Sequence, residues 1–260
     1  MATTWQPELI SEDLLALSLS LGEPAKDLVI LAEGNTSQRL DDGRIAVKAS
    51  GAYLASTTRE DFVVTEVAPL IDLMEDSRST QEDLTALLDA GEWSGVRRRG
   101  SIETLVHAAV QSVQSVQSSA FVAHTHPTHV VGLLASVHAP TAFEEWVYTD
   151  EALVIGVPLF VPYAEPGIAL GRLFLERLRG YVDVKGELPS AVMLGNHGMV
   201  AIAGSAAAAE AITLMAVKGA RVRLDALSVG GIQGLGSDAV SHYFDRTDMA
   251  ERRRNLAGTV

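Results

Sequence analysis

Two histidines one residue apart, His124 and His126, close an apolar run from Ala120 to Pro127. Side chains of an extended strand alternate between faces, so His124 and His126 share one face and Thr125 takes the other. Two imidazoles so placed can grip one metal ion, or can serve as polar caps at a strand end. His197 sits at a corner, Gly195-Asn196-His197-Gly198, between two strand-like runs, Ala191 to Leu194 and Met199 to Ala203. A histidine between glycines at such a corner is poorly explained as core filling. Glu103 follows Ser101 at the head of an apolar-striped segment, where a carboxylate either complements the helix dipole or is held there for chemistry. The chain has no cysteine, which excludes disulfides, thiolate metal sites and cysteine nucleophiles, so any metal must be held by His, Asp or Glu.

A second kind of chemistry is suggested by two corners of small polar residues, Gly34-Asn35-Thr36-Ser37 and Ser50-Gly51. Between them lie two strand-like runs, Thr36 to Leu40 and Arg44 to Lys48, joined by the turn Asp41-Asp42-Gly43. Pairing these runs as a hairpin brings the two corners together. They then act as simple turns, or present hydroxyls, a carboxamide and backbone N–H groups to an anion such as a phosphate.

The elements that must position these groups are legible from caps and periodicity. Ser11 caps a helix bearing Leu14, Leu15, Leu17 and Leu21, and Ser79 with Glu82 forms a capping box ahead of Leu84, Leu87 and Leu88. Ser101 caps a helix with a buried stripe from Ile102 to Val113, on which Glu103 and His107, four apart, share a face. A helix starts at Pro127-Thr128, a buried strand runs from Val154 to Tyr163, and helices follow through Leu170 to Leu178 and from Ser205 to about Leu227. Residues Val229 to Gly236 read as a Gly-rich loop, and Ser237 opens a last helix ending among Arg252, Arg253 and Arg254. Arg97-Arg98-Arg99 reads as a solvated loop.

The 260 residues, 47% of them hydrophobic, suffice for one large core, and no linker divides them. The expectation is a single domain over 1–260, with 229–260 as a C-terminal loop and helix. A net charge of -13 argues against binding nucleic acid or anionic membranes. The start lacks a signal-peptide pattern, and no apolar run approaches the roughly 20 residues of a membrane span. A cytoplasmic protein with a small-molecule partner is expected.

In order along the chain, Gly34-Asn35-Thr36-Ser37, Ser50-Gly51, Ser101-Ile102-Glu103, His124-Thr125-His126 and Gly195-Asn196-His197-Gly198 resemble the class II aldolase/adducin family. The resemblance implies one α/β domain of three α/β/α layers, with a mostly antiparallel central sheet flanked by helices. It makes His124, His126 and His197 zinc ligands, and Glu103 both a ligand and the acid/base. Gly34, Asn35, Ser50, Gly51 and Ser101 become the substrate or phosphate cradle. Family members are commonly tetramers with the active site at a subunit interface, and a tyrosine from a neighbouring subunit often donates a proton. Tyr148 is the candidate here and Tyr243 the second.

The implied activity is that of a zinc-dependent lyase, an aldolase cleaving a carbon-carbon bond in a hydroxy-ketone or ketose, phosphorylated or not, through a metal-stabilised enediolate. Two departures bear on the substrate. Phosphate-cleaving members often carry two serines before the carboxylate, and this chain has Ile102 at the second. Related pentulose-phosphate epimerases tend to carry Asp where Glu103 stands, which tilts the reading away from an epimerase. A metal-dependent decarboxylase of a keto acid remains the nearest alternative, and a non-haem iron oxygenase a more distant one. A non-catalytic scaffold fits less well because every ligand is kept, and a Schiff-base aldolase would need Lys48, the one lysine beside a motif.

Overall fold

The computed structural model describes residues 2–40, 43–113, 119–249 and 251–252. The Asp41-Asp42 pair of the expected turn and Arg253 and Arg254 lie outside the described residues. The strands are β1 Thr3–Thr4, β2 Asn35–Arg39, β3 Arg44–Lys48, β4 Phe62–Glu66, β5 Asp89–Trp93, β6 Val96–Arg99, β7 Phe121–Thr125, β8 Leu159–Val161, β9 Ala191–Leu194 and β10 Gly198–Ala203. The helices are α1 Glu12–Leu21, α2 Val67–Glu75, α3 Gln81–Leu87, α4 Thr104–Ser112, α5 Thr128–Leu134, α6 Thr149–Ile155, α7 Ile168–Lys185, α8 Ala206–Ser228 and α9 Ser237–Phe244.

Eight strands form one sheet in the order β1-β4-β3-β2-β7-β10-β9-β8, and β5 and β6 form a separate ribbon. The sheet is mixed, which corrects the expectation of a mostly antiparallel one: β8 runs parallel to β9 at one edge, beside antiparallel neighbours. The cause lies in the run Val154 to Tyr163, expected to be one strand. Its first part belongs to α6, which ends at Gly156 with φ of 64°. After Pro158, Leu159–Val161 join the sheet. The chain then returns to β9 through the 18-residue α7, and a helical crossover of that kind delivers a parallel neighbour.

Alternation along the central strands divides the apolar residues between two layers of helices. On one face Phe121, Ala123, Met199 and Ala201 pack with α1, α5 and α8 through Leu14, Leu133 and Ala216. On the other, Val122, Val192 and Val200 pack with α2, α4 and α7 through Leu70, Leu105 and Phe174. Ser11 caps α1 by accepting from the Leu14 amide at 3.0 Å, and Ser205 caps α8 through the Ala208 amide at 3.2 Å.

Three local expectations shift. The capping box of α3 is Thr80 with Asp83, one residue beyond Ser79 with Glu82, because the same spacing occurs in two overlapping registers. The helix after Ser101 begins at Thr104. Arg97, Arg98 and Arg99 belong to a strand rather than a loop, with Arg97 bonded to Asp89 and Arg98 paired with Asp61 at 3.1 Å.

Candidate metal centre

The central strand β7 carries His124 on its α4 face, since Phe121 and Ala123 take the other, and His126 follows just beyond its last residue. Its neighbours β2 and β10 set Asn35 and Val200 opposite His124. His197 comes from the corner between β9 and β10, where Asn196 takes a left-handed φ of 52°, a conformation that Asn tolerates better than most residues. The next residue has to be small: a Cβ on Gly198 would lie 2.4 Å from the Thr125 carbonyl oxygen and 2.7 Å from His126 Cδ2. Glu103 stands immediately before α4.

These elements converge. Glu103, His124, His126 and His197 each offer one ligand atom, and the four atoms lie within 4.8 Å of one another. Glu103 Oε1 is 2.8 Å from His197 Nε2, Glu103 Oε2 is 3.2 Å from His124 Nε2, and His126 Nε2 is 2.9 Å from His124 Nε2. His124 is 1% exposed and Glu103 9%.

Burial disfavours charge on Glu103, yet the imidazoles of His124 and His197 outweigh it and hold the carboxyl well below its ordinary range. Burial likewise opposes charge on His124, but Glu103 prevails and raises its pKa. His126 is pushed down to about 3 by burial and by its histidine neighbours. A buried anion facing three imidazoles calls for a cation at its centre. The donor set meets that requirement: His124 Nδ1–H donates to the Met199 carbonyl at 2.9 Å, which directs Nε2 inward as a ligand. Nitrogen and carboxylate oxygen donors without thiolate suit zinc, and also iron or manganese.

A buried polar chain supports Glu103 from behind. Asn35 Nδ2 donates to Glu103 Oε2 at 2.8 Å, and Asn35 Oδ1 accepts from His107 Nε2. That fixes the tautomer, so His107 Nδ1 accepts from Ser37 Oγ at 2.7 Å. Burial and the proximity of His124 push the His107 pKa down to about 3, in keeping with a neutral ring.

The structure brings most of the expected cradle to this place, with individual differences. Asn35 is 2% exposed and committed to Glu103. Ser101 Oγ accepts from the Glu103 amide and from Asn35 Nδ2, both at 3.3 Å. Gly34 has φ of 67°, and a Cβ there would meet Val29 Cγ1 at 2.7 Å and the His124 carbonyl oxygen at 2.8 Å. Gly51, with φ of 85°, has open space around it, and Ser50 is exposed. Tyr148 does not approach Glu103 within the chain. Its hydroxyl contacts Met215 Sδ on α8, on the opposite face of the sheet, and burial raises its pKa to about 12.

Two neighbours of the cluster were not among the expected site residues of the zinc reading. Glu33 Oε1 lies 3.6 Å from His126 Nδ1. Lys48 is buried and ties the two small-residue corners together, donating to the carbonyls of Ala32, at 3.2 Å, and Ala52. Burial lowers its pKa to about 8 against the pull of Glu103 and Asp61. The adjacency of Glu33 to the Gly34 motif was a signal for the first, and that of Lys48 to Ser50-Gly51 a signal for the second, weighed only as a Schiff-base lysine.

A family model for the class II aldolase and adducin N-terminal domain matches residues 12–224. The chain belongs to that family. Solved structures of the class II aldolase fold agree in architecture. An L-fuculose 1-phosphate aldolase shares 17% identity at a TM-score of 0.62, over 94% of this chain and 97% of that one. YgbL from Klebsiella pneumoniae, described as a candidate aldolase/epimerase/decarboxylase, shares 20% identity at 0.63, over 91% and 98%. The N-terminal class II aldolase domain of a Thermoplasma acidophilum protein shares 19% at 0.62, over 82% and 92%. At these identities the likeness speaks for the fold. No curated protein sequence matches the chain. Members of the class II aldolase superfamily are generally metal-dependent and act on small molecules, and among the described residues no helix is long and apolar enough to cross a membrane.

Proposed function

We propose that this protein is a zinc-dependent lyase that cleaves a carbon-carbon bond in a hydroxy-ketone or ketose. The observation that carries the reading is the convergence of Glu103, His124, His126 and His197 on one point. A bound zinc ion supplies Lewis acidity toward a substrate carbonyl. The protein's own residues supply position and proton transfer. The three imidazoles and the Asn35–Glu103 bond hold the carboxylate beside the reacting carbon, where Glu103 takes up or returns a proton. The small-residue corners seat the rest of the substrate, with Ser50, Gly51 and Ser101 as donors and Gly34 allowing close approach. In this reading residues 1–260 act as one domain, four copies assemble in the cytoplasm, and Tyr148 serves as proton donor to a neighbouring copy's site.

Metal analysis paired with a cleavage screen of phosphorylated and unphosphorylated ketoses and keto acids tests it. We expect about one zinc per chain, and retro-aldol activity that falls by roughly 100-fold or more in His126→Ala. Full activity in metal-free protein would end the proposal. A second reading, decarboxylation of a keto acid by the same charge stabilisation, draws support from Ile102 in place of a second serine. Carbon dioxide release from the keto acids would decide for it.

A further inference from the structure

Beside the Ser50 corner a cavity of about 630 Å³ opens between α3 and the β5–β6 ribbon, with Ser50, Gln81, Arg97 and Arg99 in its wall together with Glu82 and Asp89. Its charges are unequally committed. Arg97 Nε donates to Asp89 Oδ1 at 3.1 Å and Arg97 Nη2 bonds Asp89 Oδ2, so that pair is closed. Arg98 turns to the other side of the ribbon and meets Asp61. Arg99 is half-buried, faces the cavity and, among the described residues, makes no side-chain hydrogen bond; its charge acts on Asp89, which is already held by Arg97. Glu82 is exposed on the first turn of α3. A guanidinium offers five donors in a planar fork and no acceptor, and carboxylates and phosphates match that fork.

Backbone pairing ties the cavity wall to the segment that leads into Glu103. The Ser50 amide donates to the Arg99 carbonyl at 2.8 Å, Ala49 bridges Gly100, and the Ser101 amide donates to the Lys48 carbonyl at 3.4 Å. Glu103 is four residues beyond Arg99, so their α-carbons are at most about 14 Å apart. A substrate of a few carbons together with an arginine side chain spans that gap. Ile102, where phosphate-cleaving relatives often place a second serine, packs instead against the α2, α4 and α7 core. The hydroxyl that is absent there leaves anion recognition to another group.

We propose that this cavity receives the anionic end of the substrate, a carboxylate or a phosphate, and that Arg99 recognises it. The proposal rests on the reading of the Glu103 cluster as the reaction site.

Calorimetric titration of the zinc-loaded full chain with inorganic phosphate and, separately, with glycolate at constant ionic strength tests it, with a chelated sample run alongside. Saturable binding that survives chelation and weakens about tenfold or more in Arg99→Met, and less in Arg99→Lys, supports the site. The tighter anion tells a phosphorylated substrate from a sugar acid. Melting curves check that the variants fold, and Ser50→Ala, expected to weaken binding by a smaller factor, reads the same cavity from its other wall. Absence of saturable binding to the wild type, or equal binding by wild type and folded Arg99→Met, overturns the proposal. Lyase activity with zinc but no Arg99-dependent anion binding sinks this inference alone. Arg99-dependent binding in a protein without zinc-dependent activity sinks the lyase reading and leaves the anion site standing.

Discussion

Glu103 is held in place by a chain of buried polar side chains. Its Oε2 is held by Asn35, which is held by His107, which is held by Ser37. Truncating Asn35 to Ala leaves the carboxylate without its neutral donor and orphans His107 in a fully buried position. We expect zinc affinity to fall roughly 10–100-fold, read by competition with a chromophoric chelator, while the helical circular dichroism is kept. How much of this was visible in the sequence depends on the kind of spacing. The period of two brought His124 and His126 to one side, and the four-residue interval coupled Glu103 with His107, although Glu103 stands just before α4 and is linked to His107 through Asn35. The bond between Asn35 and His107 joins residues 72 positions apart. No local periodicity encodes a contact of that range, so the bond from Asn35 to the carboxylate was not legible.

At the scale of elements, the centre depends on how closely strands can approach at their ends. Gly198 opens β10 opposite Leu194 of β9, and its α-carbon faces the Thr125 carbonyl closely enough that a methyl group has no room. The obstruction is backbone on one side and the His126 ring on the other, so neither yields cheaply. Gly198→Ala is expected to destabilise the fold by about 1–3 kcal/mol and to lower zinc occupancy by displacing His126. Denaturant unfolding and metal analysis of the purified variant measure the two effects. Elements with a strong local signal, such as α1 behind Ser11 and α8 behind Ser205, agree with their patterns. Strands with a clear pattern, such as β3 and β9, agree as well, and two runs do not. Val154 to Tyr163 is apolar throughout, and an apolar run fits helix and strand alike until Gly156 and Pro158 divide it. The three arginines of β6 look solvated, and two of them are paired, Arg97 with Asp89 across the ribbon and Arg98 with Asp61 just before β4.

For the molecule as a whole, the metal centre joins parts of the fold that have little else in common. Its candidate ligands come from just before α4, from β7 and the residue after it, and from the β9–β10 corner, so a bound ion would cross-link them in the native state and in no extended chain. With free zinc at about 100 times its dissociation constant the linkage is worth about 2.7 kcal/mol, or roughly 5–10 °C in Tm for a chain of this size. Scanning calorimetry with and without chelator should show that difference in the wild type and a clearly smaller one in His126→Ala. The strand order has another consequence, for the chain as it is made. β2 ends in the middle of the sheet, paired with β3 on one side and with β7 on the other. β3 follows within a few residues, but β7 begins only at Phe121. A growing chain on the ribosome therefore carries β2 with one open edge while some eighty residues are added. During that interval the strand that will sit at the heart of the sheet is open to another chain.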